Sequence, residues 1–280
     1  MDIKGPNLVK GIHLEGLRVL GKPEKFAKYY YEQGADELMY MDVVASLYGR
    51  NNLLDIVEKT AKEIFIPLTV GGGIRTIEDI RAVLRAGADK VCINTAAILN
   101  LDIIRQASLE FGSSTIVVAI EAIKHNDNKY YAYIDNGREE TGVEVTSWAK
   151  QVEILGAGEI VLTSVDREGT GSGYDIDLLS SVTKIVNIPV IAHGGFGKLG
   201  HAKQAILDGG ASALAIASSF HYKSIRNLDF HDNSSEEGNT EFLKRKSSFA
   251  KIDELDIVSV KKYLFSNQIE CRMLEDSTND

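Results

Sequence analysis

The stretch FAKYYYEQGADELMYMD, beginning at Phe26, is echoed by WAKQVEILGAGEIVLTS, beginning at Trp148. Ala27 falls on Ala149, Gly34 on Gly156 and Glu37 on Glu159, each pair 122 residues apart. Pro67 and Pro189 keep that offset, as do Gly72 with Gly194 and Gly73 with Gly195; after a one-residue slip, Asn94-Thr95 falls on Ala217-Ser218. A general likeness among strand-helix units explains shared hydrophobicity. It does not explain one register held through helix, strand and glycine loop, and an internal repeat of this kind dictates the architecture.

Short apolar, β-branched runs recur at 37–43, 67–71, 90–94, 115–122, 159–165, 189–195 and 213–219. They are continuous rather than alternating, as expected of parallel strands covered on both faces. Helical patterns lie between them near 24–34, 51–63, 76–86, 99–110, 145–155, 175–186 and 198–208, with one more near 255–266. Two four-unit halves make an α/β fold of the (β/α)8 TIM-barrel type, built from two repeated half-barrels. The 280 residues are expected to form a single barrel domain, with a polar, mobile insertion at about 226–254 before the last helix.

Charge and cysteine content exclude some functions. A formal net charge of −9 and a pI near 5.3 are not the footprint of a nucleic-acid binder, and KRK at 244–246 is a short, isolated basic run. Cys92 and Cys271 lie far apart and make no zinc-ligand or disulfide spacing. Neither a secretion signal nor a membrane-length apolar run is recognisable, so a cytoplasmic location is expected, with no membrane partner, metal or organic cofactor.

In a β/α barrel, chemistry sits at the C-terminal ends of the strands. PLTVGGGIRT (67–76) places three glycines there, and PVIAHGGFGK (189–198) repeats the motif. Glycine lets backbone N–H groups approach an anion with no Cβ in the way, and the following helix adds its positive dipole end. Gly72 and Gly73 with Asn94 and Thr95 then make one phosphate cup, and Gly194 and Gly195 with Ala217 and Ser218 a second, suiting a substrate phosphorylated at both ends. The alternative reading is that these glycines serve only tight turns.

Acidic residues at strand ends are the other candidates. Glu121, inside VVAIEAI, needs a polar surrounding to be tolerated, and its repeat partner falls close to Asp2. Two carboxyl groups across a barrel mouth can divide general-acid and general-base work. Asp42 ends the strand MYMD and Lys10 lies in the loop after Asp2; the alternative for each is a structural ion pair or a solvated loop charge. The loop TSVDREGTGSGYD (163–175) offers Thr163, Glu168 and the second-phosphate donor Gly169, while Asp175 reads as the N-cap of the next helix.

Together DIKGPNLVKG, ELMYMDVVAS, TVGGGIRT, ADKVCINTAA, VVAIEA, GAGEIVLTSVDREGTGSGYD and GGFGK resemble the cyclase subunit of imidazole glycerol phosphate synthase, from histidine biosynthesis. INTAA and the 163–175 loop favour it over the sister isomerase of that pathway. The resemblance implies an enzyme that takes ammonia from a separate glutaminase subunit, docked at the N-terminal face of the barrel. With it a bisphosphorylated aminoimidazole-carboxamide ribonucleotide becomes imidazole glycerol phosphate and the released carboxamide ribonucleotide. It also implies catalytic roles for Asp2, Glu121 and Lys10. Gly73, Asn94 and Thr95 would hold one phosphate, and Gly169, Gly195, Ala217 and Ser218 the other. Glu37, Lys90 and Glu159 would form an ammonia gate.

The chain departs from that pattern in four places. Most of the first strand, with the arginine that completes the gate, would precede Asp2, so the reading frame is expected to start upstream. Glu121 stands in place of an aspartate, and His193 in place of a small residue beside the second cup, either as a ligand-binding group or as filler. The insertion at 226–254 is the fourth. Two further readings therefore stand beside the cyclase: a relative from surface-polysaccharide synthesis that helps place nitrogen on a sugar, and a truncated, non-catalytic barrel.

Overall fold

A computed structural model of the protein describes residues 1–43, 53–227 and 251–274. Eight parallel strands follow one another through the sheet: β1 (Asp2–Lys4), β4 (Leu38–Asp42), β5 (Leu68–Gly71), β6 (Lys90–Ile93), β7 (Ile116–Lys124), β10 (Glu159–Ser164), β11 (Val190–His193) and β12 (Ala213–Ala215). The sheet curls on itself, because the C-terminal ends of all eight converge on one cavity lined by Asp2, Asp42, Gly72, Asn94, Glu121, Thr163, His193 and Ala215. Helices cover the outside, and the continuous apolar runs are the reason: Ile116 to Ile120 are buried on both faces, each isoleucine and valine among them contributing about 1.5–3 kcal/mol. Cys92, Val117, Ala119 and Val161, with Met39, Met41 and Ile191, form a separate cluster, the filling of the barrel interior.

The duplication holds at the level of single hydrogen bonds. Leu38 N donates to Pro67 O at 3.0 Å, and Ile160 N to Pro189 O at 2.9 Å; Asp89 N donates to Leu68 O, and Ser212 N to Val190 O, both at 2.9 Å. Each half also carries an antiparallel hairpin after its first strand, which the sequence reading did not anticipate. These are β2 (Asn7–Ile12) with β3 (Glu15–Gly21), and β8 (Tyr130–Ile134) with β9 (Glu139–Glu144). β2 pairs with β1 and β8 with β7, so the hairpins are equivalent devices.

Several expected boundaries shift. The run at 213–219 is a strand only over Ala213–Ala215, since Ser218 already opens the helix Ser218–Asn227. Another unforeseen helix, Thr95–Leu99, follows β6. Lys10, expected in a loop, lies on β2. β1 is three residues long. Of the insertion at 226–254, residues 228–250 lie outside the described residues; Ile252 beyond them is buried and Asp253 N donates to Gly197 O at 2.8 Å.

Candidate active site at the barrel mouth

The cavity at the strand ends has a volume of about 450 Å³. Glu121 and Asp2, on the leading strand of each half, both line it. The Glu121 carboxylate accepts from Gly137 N at 2.7 Å, on the turn of the β8–β9 hairpin. Desolvation by the surrounding protein raises its pKa from 4.5 to about 7, against the lowering effect of hydrogen bonds from Gly137 and Asn94; the negative charges of Asp135 and Asp2 add to the rise. Near neutral pH Glu121 thus exists in both protonation states, as a proton-transfer group needs.

Gly72, Gly73, Asn94 and Thr95 form one wall of the cavity, with Asp42 beside them. Gly72 has φ +96°, and a Cβ there would meet Asp42 O at 2.3 Å; Gly73 has φ +69°. Both requirements select glycine. Thr95 starts a helix, and the first N–H groups of a helix lack intrahelical partners. Asn94 Oδ1 is a buried acceptor without a partner among the described residues, while its Nδ2 donates to Tyr133 O at 3.3 Å.

The second copy of the cup is arranged differently. Ala217, the residue before the helix Ser218–Asn227, lines the cavity, whereas Gly169, Gly194, Gly195 and Ser218 are not among its lining residues. A Cβ at Gly194 would meet Ser164 O at 2.6 Å, and one at Gly195 would meet Gly173 O at 2.1 Å. These glycines let β11 pack against the 164–173 loop, whose Gly173 N donates to Gly195 O at 2.7 Å. Thr163 and His193 reach the cavity and bond each other, Oγ1 to Nδ1, at 3.0 Å.

Lys10 is paired inside the protein. Its ammonium is buried against Glu168, and neither side chain lines the cavity. Burial pulls the Lys10 pKa down, but Glu168 and Asp2 together hold it above the ordinary value. Glu168 Oε2 also accepts from Leu14 N at 3.0 Å, so the pair fastens the β2–β3 hairpin to the loop after β10. Sequence reasoning missed Asp135, Asn136 and Leu14, which close the cavity from the two hairpins. The signal for the second hairpin was Asp135-Asn136-Gly137, three consecutive residues with positive φ and a strong turn pattern.

Glu37, Lys90 and Glu159 meet at the opposite, N-terminal end of the strands. Lys90 Nζ lies 2.8 Å from Glu37 and 2.7 Å from Glu159. The apolar barrel interior separates this cluster from the mouth. Among the described residues no helix is long and apolar enough to cross a membrane.

Residues 1–226 match the family described as histidine biosynthesis protein. The chain is 57% identical to an imidazole glycerol phosphate synthase subunit HisF from Legionella pneumophila over 199 residues, covering 71% of this chain and 94% of that one. It is 48% identical over 242 residues to the protein of the same name from Methanocaldococcus jannaschii, covering 80% and 89% of the two chains. That from Alkaliphilus metalliredigens is 46% identical over 225 residues, with the same coverage. The family match over residues 1–226 and identities of this size over most of each chain make this chain a member of the histidine biosynthesis protein family.

Proposed function

We propose that this chain is the cyclase subunit of an imidazole glycerol phosphate synthase, a lyase acting as half of a glutamine amidotransferase pair. The observation that carries the reading is the meeting of Asp2 and Glu121 in one cavity with the cup of Gly72, Gly73, Asn94 and Thr95. The cup takes one phosphate of the substrate, and the wall at Ala217 and the helix after it takes the other. Ammonia addition and ring closure require protons to be given and removed in one site. Glu121, whose surroundings favour the protonated carboxyl, gives the proton; Asp2 on the facing strand takes one.

Ammonia enters from a glutaminase subunit at the N-terminal face. Lys90, shared between Glu37 and Glu159, closes that end as a small ionic gate, and the interior of Met39, Met41, Cys92, Val117, Ala119 and Val161 offers an apolar path. A neutral ammonia molecule crosses such a path at far lower cost than an ammonium ion.

The test is direct. The purified chain, supplied with ammonium salt at mildly alkaline pH, is expected to consume the bisphosphorylated ribonucleotide and release imidazole glycerol phosphate. Binding of the nucleotide without turnover would overturn the assignment in favour of a non-catalytic barrel.

A further inference from the structure

The two halves of the barrel keep an acid on their leading strand, yet they differ at the same level one and two parallel strands further on. In the first half that level holds Met41 and Gly71; the 122-residue offset places Thr163 and His193 there in the second. Gly71 leaves no room for a side chain, since a Cβ would meet Met41 Sδ at 2.6 Å and Cys92 O at 2.7 Å. At that level the first half is therefore apolar and bare, and the second carries a hydroxyl and an imidazole.

Strand register places the polar side in a row. Glu121 pairs with Thr163, Thr163 with His193, and His193 with Ala215, so their side chains share the inner face of the barrel. Strand spacing of about 4.8 Å puts the imidazole roughly 10 Å from the acid, with the buried Thr163 between them. That distance is a substrate's width, too far for His193 to act on Glu121 itself.

The geometry points to His193 as a residue that contacts the substrate and sets its specificity: a neutral imidazole whose Nδ1 accepts from Thr163 Oγ1 and whose Nε2–H donates to an oxygen of the bound phosphorylated substrate. The tautomer follows from the company. Asp2 and Glu121 line the same space, and a phosphate-bearing ligand adds more acceptors, so a donor is the useful group to present. Burial favours the neutral ring, in agreement with that arrangement. Thr163, fixed on β10, is a positioning residue that acts through the histidine. The inference rests on the cyclase reading and adds a specificity contact to it.

The experiment is steady-state kinetics with ammonia and the bisphosphorylated ribonucleotide, together with calorimetric binding of that nucleotide, on five proteins. These are the unaltered chain, His193→Ala, His193→Gln, Thr163→Val and the Thr163→Val/His193→Ala pair. Loss of one neutral hydrogen bond predicts a rise in KM and in nucleotide Kd of about tenfold for His193→Ala, with kcat little changed. Gln, which carries an N–H at a similar reach, is expected to restore most of the affinity. Thr163→Val is expected to weaken binding when His193 is present and to add nothing in the double variant. Unchanged KM and Kd in His193→Ala, with the unaltered chain active, would overturn the inference alone, as would a Gln variant as impaired as Ala. An unaltered chain that neither binds nor converts the nucleotide would remove the proposed function and this inference together.

Discussion

Gly137 donates its backbone N–H to the Glu121 carboxylate at 2.7 Å, tying the turn of the β8–β9 hairpin to the acid on β7. The bond opposes, without cancelling, the desolvation that lifts the Glu121 pKa to about 7. If Glu121 gives a proton in the reaction, kcat/KM measured at constant free ammonia falls as pH rises through about 7. A profile flat from pH 6 to 8.5 would remove Glu121 from that role.

The same shift has a consequence for stability. A carboxyl whose folded pKa lies above its unfolded value contributes stability at low pH that is lost as pH rises through about 7. Glu121→Gln, which cannot ionise, is therefore expected to be more stable than the unaltered chain at pH 8, by up to about 3 kcal/mol, and to match it near pH 4.5. Urea unfolding at the two pH values measures the difference; equal gaps at both would contradict it.

Lys10 and Glu168 are buried against each other, and removing one partner strands a charge. Glu168→Ala is expected to cost about 3–5 kcal/mol of stability, while the volume-matched pair Lys10→Met/Glu168→Leu recovers much of it. Denaturant midpoints of the single and double variants decide between this and a surface-like pair, for which the single substitution would cost less than about 1 kcal/mol.

Much of this architecture is legible in the sequence because the repeat holds one register: Pro67 and Pro189 accept equivalent bonds, and Gly72 and Gly194 press against equivalent carbonyls of Asp42 and Ser164. The β2–β3 hairpin was not legible. Its turn residues His13 and Leu14 adopt φ of 51° and 61°, a conformation that usually announces itself with Asn or Gly. Nor does spacing reveal that Lys10 is committed to Glu168, since 158 residues separate them. Glu121, by contrast, stood out as an acid in an apolar run, and it faces the cavity.

Lys90 bridges Glu37 and Glu159, and as a gate it matters only to ammonia arriving from below. Lys90→Met is expected to change glutamine-dependent turnover in the presence of the glutaminase subunit while leaving the rate with added ammonia within about threefold. Equal losses in both assays would make the cluster a structural one.

The central claim is that Asp2 and Glu121 work as a proton-transferring pair on a bisphosphorylated ribonucleotide. Ammonia-driven turnover by Asp2→Asn and Glu121→Gln, beside the unaltered chain, tests it most directly. The account predicts losses of at least about a hundredfold in kcat for each variant, with nucleotide binding retained. Turnover within a few-fold of the unaltered chain in either variant would contradict it.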